Sequence, residues 1–127
     1  MNIPEGYQAV MPYLILNDPE GFIDFTQKVF NATSKYKELR EDGHTIRHAE
    51  MEISGSVIMC AQSTDQFPVQ TANLFVYVDN ADETYAKALE NGATSINEPA
   101  DQSYGRSCGV SDTNGNVWWI TSEINNW

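Results

Sequence analysis

Basic residues are scarce in this chain: 7 Lys and Arg stand against 18 Asp and Glu in 127 residues, a formal net charge of −11. The acidic residues are spread over both halves without a terminal tail, and such a surface repels phosphate backbones, so nucleic acid is not an expected partner. Cysteine is nearly absent. Cys60 and Cys108 form neither a metal-ligand spacing nor a disulfide framework, and both sit in strand-like runs where a reduced thiol is expected. No stretch approaches the roughly 18 consecutive apolar residues of a membrane span. Met1 to Val10 also lack the basic-then-apolar pattern of a secretion signal, so a soluble cytoplasmic protein is the expectation. What is present points to a folded globular chain: 41% hydrophobic and 11% aromatic residues, in a length that suits one domain spanning 1–127.

The most informative stretch runs from Tyr104 to Thr121. Asn114-Gly115 separates two strand-like runs, and Gly after Asn supplies the positive φ of a tight reversal, so a β-hairpin is predicted. Side chains alternate along a strand, which sends Val117, Trp119 and Thr121 to one face and Trp118 and Ile120 to the other. Both faces are apolar. Such a strand needs helices behind it and a partner sheet or ligand-lined cleft in front.

Taken in order, the chain opens with an apolar run at Val10 to Leu16. Asp18 is a suitable N-cap and Pro19 suits the first helical turn, and the Phe22, Phe25 and Val29 stripe, widened by Ile23 and Phe30, predicts a helix to about Asn31. Ser34 to Arg40 reads as a polar edge strand. Thr45 to Ile53 alternates, with Ala49, Met51 and Ile53 on one face and Ile46, His48, Glu50 and Glu52 on the other; Val57 to Ala61 follows as an apolar strand. Gln62 to Thr71 reads as a linker. The order then repeats: a strand at Leu74 to Val78, and a helix opened by Asp79-Asn80 with Glu83. That helix carries a stripe of Ala81, Tyr85, Ala88 and Leu89 and stops at Gly92. Strands at Thr94 to Asn97, Ser103 to Ser111 and Val117 to Thr121 complete the second half. The expected fold is α+β, two β-α-β-β-β modules (about 8–62 and about 71–123) forming a curved, cleft-bearing sheet.

On this pattern the sequence resembles the vicinal oxygen chelate superfamily, which includes glyoxalase I, extradiol dioxygenases and bleomycin-resistance proteins. Carrying the resemblance are His48-Ala-Glu-Met-Glu-Ile-Ser-Gly-Ser-Val-Ile-Met59, then Tyr77-Val78-Asp79 ahead of Asn91-Gly92-Ala93, and Tyr104-Gly105-Arg106 leading to Asp112-Thr-Asn-Gly115. These stretches are similar to the PhnB-like branch. The resemblance implies two modules around a cleft, commonly in a dimer, so a homodimer is expected. It also implies that metal-dependent members place four ligands, typically His, Glu, His and Glu, on the first and last strands of each module. Aligned by strand order, those places hold Met11, Met59, Asn73 and Trp119. None is a usual ligand for a hard or borderline divalent cation, so no metal and no cofactor are expected.

Several candidates remain open at this level. His48 and Glu50, two apart on one strand face, suit a ligand or a metal, with His44 extending the line if its strand starts early; equally they suit a hydrogen-bonded polar edge. Cys108 beside Arg106 suits either an activated thiol or a buried strand cysteine. Arg106 and Tyr104 offer an anion-binding group at the cleft mouth, or Arg106 pairs with a surface carboxylate. Trp119, Phe75 and Tyr77, with Met11 and Tyr13 from the first strand, either wall a ligand cleft or fill a barrel.

The leading expectation is a metal-independent protein binding a small organic molecule, with cationic aromatics favoured by the acidic charge. Its ligand-binding residues would be Met11, Tyr13, His48, Glu50, Met59, Asn73, Phe75, Tyr77, Arg106 and Trp119. The alternative is a metal-dependent lyase, isomerase or dioxygenase-like enzyme rebuilt around His48 and Glu50. A third is an assembly module whose cleft is packed shut by Trp118 and Trp119. The terminal Trp127 is either disordered or docked on a partner.

Overall fold

The computed structural model describes residues 1–124; the expectation for Trp127 lies outside them. The first half contains β1 (Tyr13–Leu16), α1 (Pro19–Phe30), β2 (Thr33–Leu39), β3 (Ile46–Ile53) and β4 (Ser56–Gln62). The second half contains β5 (Asn73–Tyr77), α2 (Ala81–Glu90), β6 (Thr94–Gln102), β7 (Gly105–Ser111) and β8 (Val117–Ser122). Each half is one β-α-β-β-β module. The strands form two 4-stranded sheets ordered β1-β4-β3-β2 and β5-β8-β7-β6, and they do not close into a barrel. In both sheets the first strand runs parallel to the last, and the remaining pairs are antiparallel.

Local chemistry sets the helix starts. The Asp18 carboxylate accepts from Gly21 N at 3.0 Å with Pro19 inside the first turn, and Asn80 Oδ1 accepts from Glu83 N at 3.1 Å. The helices cover the back of the sheets, and one core runs through both modules. Phe22, Phe25 and Phe30 of α1 surround Trp118 of β8, with the Phe30 and Trp118 rings 4.6 Å apart. Trp118 is 1% exposed, so the second module's largest core side chain is packed by the first module's helix. Among the described residues, no helix is long and apolar enough to cross a membrane.

The β7–β8 hairpin closes through a longer loop than the tight reversal predicted. Asp112 accepts from the backbone N–H of Asn114 and Asn116, from Asn116 Nδ2 and from the Trp118 indole at 2.9 to 3.1 Å. Gly115 takes φ +94° within that loop. Asn114 also exchanges two hydrogen bonds with the Asp18 backbone, which ties the hairpin tip to the start of α1. The buried carboxylate thus replaces the compact two-residue turn with a polar knot.

Other expectations shift for definable reasons. Ile46 is buried in the core, not on the His48 face, because the pairs Glu38–His48 and Leu39–Ile46 leave Arg47 as an extra, bulged residue that resets the alternation. Leu89 is 38% exposed; only Ala81 and Ala88 of the α2 stripe are fully buried. β6 runs on to Gln102, past Pro99, with register shifts that absorb the proline. Trp118 lies on the back, so it cannot fill a cleft in front.

Candidate functional site

Strand register lays one row of four residues across the front of each sheet. In the first sheet the row is Tyr13, Met59, Glu50 and Tyr36. At the same places in the second sheet stand Phe75, Trp119, Gly109 and Asn97. Met11 and Asn73 precede the first member of each row by two residues. The backbone is repeated, but the chemistry is not.

The first row is built around a carboxylate. Glu50 is 7% exposed, and its two oxygens accept from the Tyr7 hydroxyl at 2.5 Å and meet His48 Nε2 at 2.7 Å. The other nitrogen of His48 lies 3.1 Å from the Tyr13 hydroxyl. Nε2–H donates to Glu50 and the Tyr13 hydroxyl partners Nδ1, so every group in the chain has a partner. The rings of Tyr13 and Tyr36 flank His48 at 5.5 and 6.0 Å. Burial by itself raises the Glu50 pKa, but the bonds from Tyr7 and His48, aided by the charges of His48 and Lys35, hold it below the ordinary glutamate value. Tyr7 is pushed up by donating to that carboxylate, and Tyr13 is pushed up by burial.

Tyr7 arrives from a segment that sequence reasoning left unassigned. Residues 1–12 contain no helix or strand and run over the front of the first sheet. Gln8 clamps them by donating to Val57 O at 2.9 Å and accepting from Val57 N at 3.3 Å, and Lys35 Nζ lies 4.8 Å from the centre of the Tyr7 ring. Between this strap and the sheet is a hollow of about 360 Å³, lined by Ile3, Pro4, Tyr7, Met11 and Met59 among others. The signal available in the sequence was a Tyr-Gln pair just ahead of an apolar strand, too common a pattern to single out.

The second row is an aromatic platform. A Cβ on Gly109 would stand 2.6 Å from Trp119 Cζ3, so the missing side chain is what lets the indole lie against the strand. Trp119 Nε1 donates to Asn73 Oδ1 at 3.1 Å, fixing the ring. Beside it Phe75, Tyr77 and Tyr104 are 52%, 62% and 55% exposed, and Phe75 contacts both tyrosines at centroid distances of 5.1 and 6.3 Å. A hollow of about 500 Å³ adjoins Trp119 and Tyr104 and includes Glu98 in its wall.

The ten candidate residues therefore divide. Met11 and Met59 share one hollow, with Tyr13, His48 and Glu50 on the same face; Asn73, Phe75, Tyr77 and Trp119 share the other. Arg106 joins neither. It faces α2, where it binds both Asp82 oxygens at 3.1 and 3.2 Å and Asp101 at 3.1 Å. Cys108 also faces α2, and burial pushes its thiol up to about 11 despite Arg106, so it is a buried strand cysteine. His44 sits in the Asp42 turn before β3 begins and does not extend the His48 line. At Met11, Met59, Asn73 and Trp119 the donors are two thioethers, a carboxamide and an indole, a set that does not fit a hard or borderline divalent cation. Among the described residues, no three His, Cys, Asp or Glu side chains group closely enough to share a metal ion.

Residues 8–120 match the profile of the Glyoxalase/Bleomycin resistance protein/Dioxygenase superfamily. The chain belongs to that superfamily. A similar chain is the uncharacterized protein Mb0911c of Mycobacterium bovis, 29% identical over 91% of this chain and 84% of its own length. Among solved structures, TioX from Micromonospora sp. ML1 superposes with a TM-score of 0.72 at 22% identity, covering 94% of this chain and 99% of its own. TnmS3, an antibiotic binding protein from Streptomyces sp. CB03234, superposes with a TM-score of 0.71 at 18% identity, covering 93% and 100%. At these identities the two structures establish the shared glyoxalase fold.

Proposed function

We propose that this glyoxalase-like protein is a metal-independent binder of a small, planar organic molecule, with a cationic aromatic as the favoured class. The observation that carries the reading is the Trp119 platform: an indole seated on Gly109, oriented by Asn73 and bordered by exposed Phe75, Tyr77 and Tyr104. Flat rings stack on such a surface, and a cation gains from the ring faces and from the −11 net charge. The similarity to an antibiotic binding protein is in keeping with this use of the fold. Within the superfamily we place the chain in the PhnB-like branch, as a cytoplasmic homodimer. Titration with proflavine, a planar aromatic cation, tests the reading: saturable binding weakened at least tenfold by Trp119→Ala supports it, and no binding up to millimolar concentration overturns it.

The competing reading is a metal-dependent lyase, isomerase or dioxygenase-like enzyme using His48 and Glu50, which stand side by side on the first row. In the fold both groups are engaged, with each other and with tyrosine hydroxyls. Metal analysis of protein purified without chelator separates the two: a stoichiometric transition metal lost in His48→Ala favours the enzyme.

A further inference from the structure

We propose that the first sheet recognises a protonated amine through Glu50, and that the strap residues 1–7 form a gate which such a ligand displaces. This rests on the reading that the front faces bind an organic molecule, and it names the group recognised on the first of them.

The two oxygens of Glu50 are held by unlike partners. Glu50 is an ionised carboxylate, 7% exposed, and its hydrogen-bond partners are a phenol and an imidazole. Among the described residues no Lys or Arg nitrogen lies within ion-pair distance of it; Lys35, whose charge reaches Glu50 at longer range, pairs with Glu52 at 3.6 Å instead. Of the two partners only His48 is able to carry a positive charge, so the Oε1 side of the carboxylate faces a phenol where a cation would bind more strongly. An ammonium group donating to Oε1 in place of the Tyr7 hydroxyl supplies that charge, and charge-assisted N⁺–H···O⁻ bonds are the strong ones. Tyr13 and Tyr36 are on the same row and offer ring faces to a cation.

The strap suits a gate because its fastenings are few and polar. Gln8 holds Val57 by two bonds at 2.9 and 3.3 Å, which anchors the strap at residue 8, whereas residues 1–7 reach the sheet through the Tyr7 hydroxyl on Glu50 and the Tyr7 ring against Lys35. Gly6, at φ +87°, supplies a left-handed kink directly before Tyr7. When Tyr7 leaves, the hydrocarbon part of the amine takes over the hollow of about 360 Å³ beside Met11 and Met59, whose thioether chains adapt to varied shapes.

Cyclohexylammonium, which has no aromatic ring to stack on Trp119, tests this, with cyclohexanol as the neutral isostere. Calorimetry is expected to show saturable binding of the amine and none of the alcohol, and chymotrypsin is expected to cleave after Tyr7 several-fold faster when the amine is bound. Glu50→Gln should lose at least tenfold in affinity. Tyr7→Phe, which keeps the ring and removes the latch, should bind the amine several-fold more tightly. Trp119→Ala should leave amine binding unchanged, so a failure of the stacking platform and a failure of this site read out separately. Equal affinity in Glu50→Gln, dependence on Trp119 alone, binding of the alcohol as tightly as the amine, or cleavage unchanged or slowed by the amine would each overturn the proposal.

Discussion

The two front rows occupy the same places on the same backbone, yet one is Tyr13, Met59, Glu50, Tyr36 and the other is Phe75, Trp119, Gly109, Asn97. Where the first module has Glu50, the second has Gly109. That exchange decides the rest: a side chain at the position fills it with a carboxylate and gathers tyrosines and a histidine, whereas its absence lets the neighbouring indole lie flat. Behind the rows nothing comparable diverges, because a single core packs α1 against β8. A duplicated fold can thus keep one interior and carry two unlike surfaces.

The sharpest test of front against back uses adjacent residues. Trp118→Ala should cost about 3–5 kcal/mol of unfolding free energy, whereas Trp119→Ala should cost about 1 kcal/mol or less, measured by chemical denaturation. Equal losses would break the division. Next is Gly109→Ala, whose new Cβ would stand 2.6 Å from the indole; it should displace Trp119 and weaken proflavine about tenfold, or 1.4 kcal/mol, with little effect on cyclohexylammonium.

The carboxylate row should announce itself through pH. The fold holds the Glu50 pKa below its ordinary value, so the carboxylate contributes stability that is fully present above the unfolded value of about 4.5 and is lost as pH falls through the folded one. Melting temperature should therefore drop more steeply in acid for the wild type than for Glu50→Gln, and parallel profiles would remove the carboxylate from the account. The smallest effect is expected for Tyr7→Phe without ligand: modestly faster chymotryptic cleavage of the strap and a small drop in melting temperature, since one hydrogen bond to the Glu50 carboxylate is lost while His48 still holds it.

Much of this architecture was legible in the residues. Helix starts followed from Asp18-Pro19 and Asp79-Asn80, the doubled module from hydrophobic periodicity, and the opposite faces of Trp118 and Trp119 from simple alternation. Alternation failed where a bulge inserted Arg47, because one extra residue moves every side chain beyond it to the other face, and Ile46 was misplaced for that reason. The hairpin loop was misjudged because Asp112 reaches four donors, two of them side chains, which no dipeptide rule encodes. For the site, His48 and Glu50 were legible as a pair on one strand face. Their link to Tyr7 spans 43 residues, and the fit of Trp119 against Gly109 depends on strand register; neither can be read from local pattern. Arg106 was drawn to α2 by Asp82, a partner 24 residues away.

The central claim is that the second row binds planar cations by stacking while the first does not. Proflavine binding followed by its own fluorescence anisotropy at about 0.15 M salt, where long-range charge effects are screened beyond about 8 Å, tests it most directly. The account predicts saturable binding that weakens at least tenfold in Trp119→Ala and is retained in Tyr13→Ala. Binding that survives loss of Trp119, or that depends on Tyr13 instead, would contradict it.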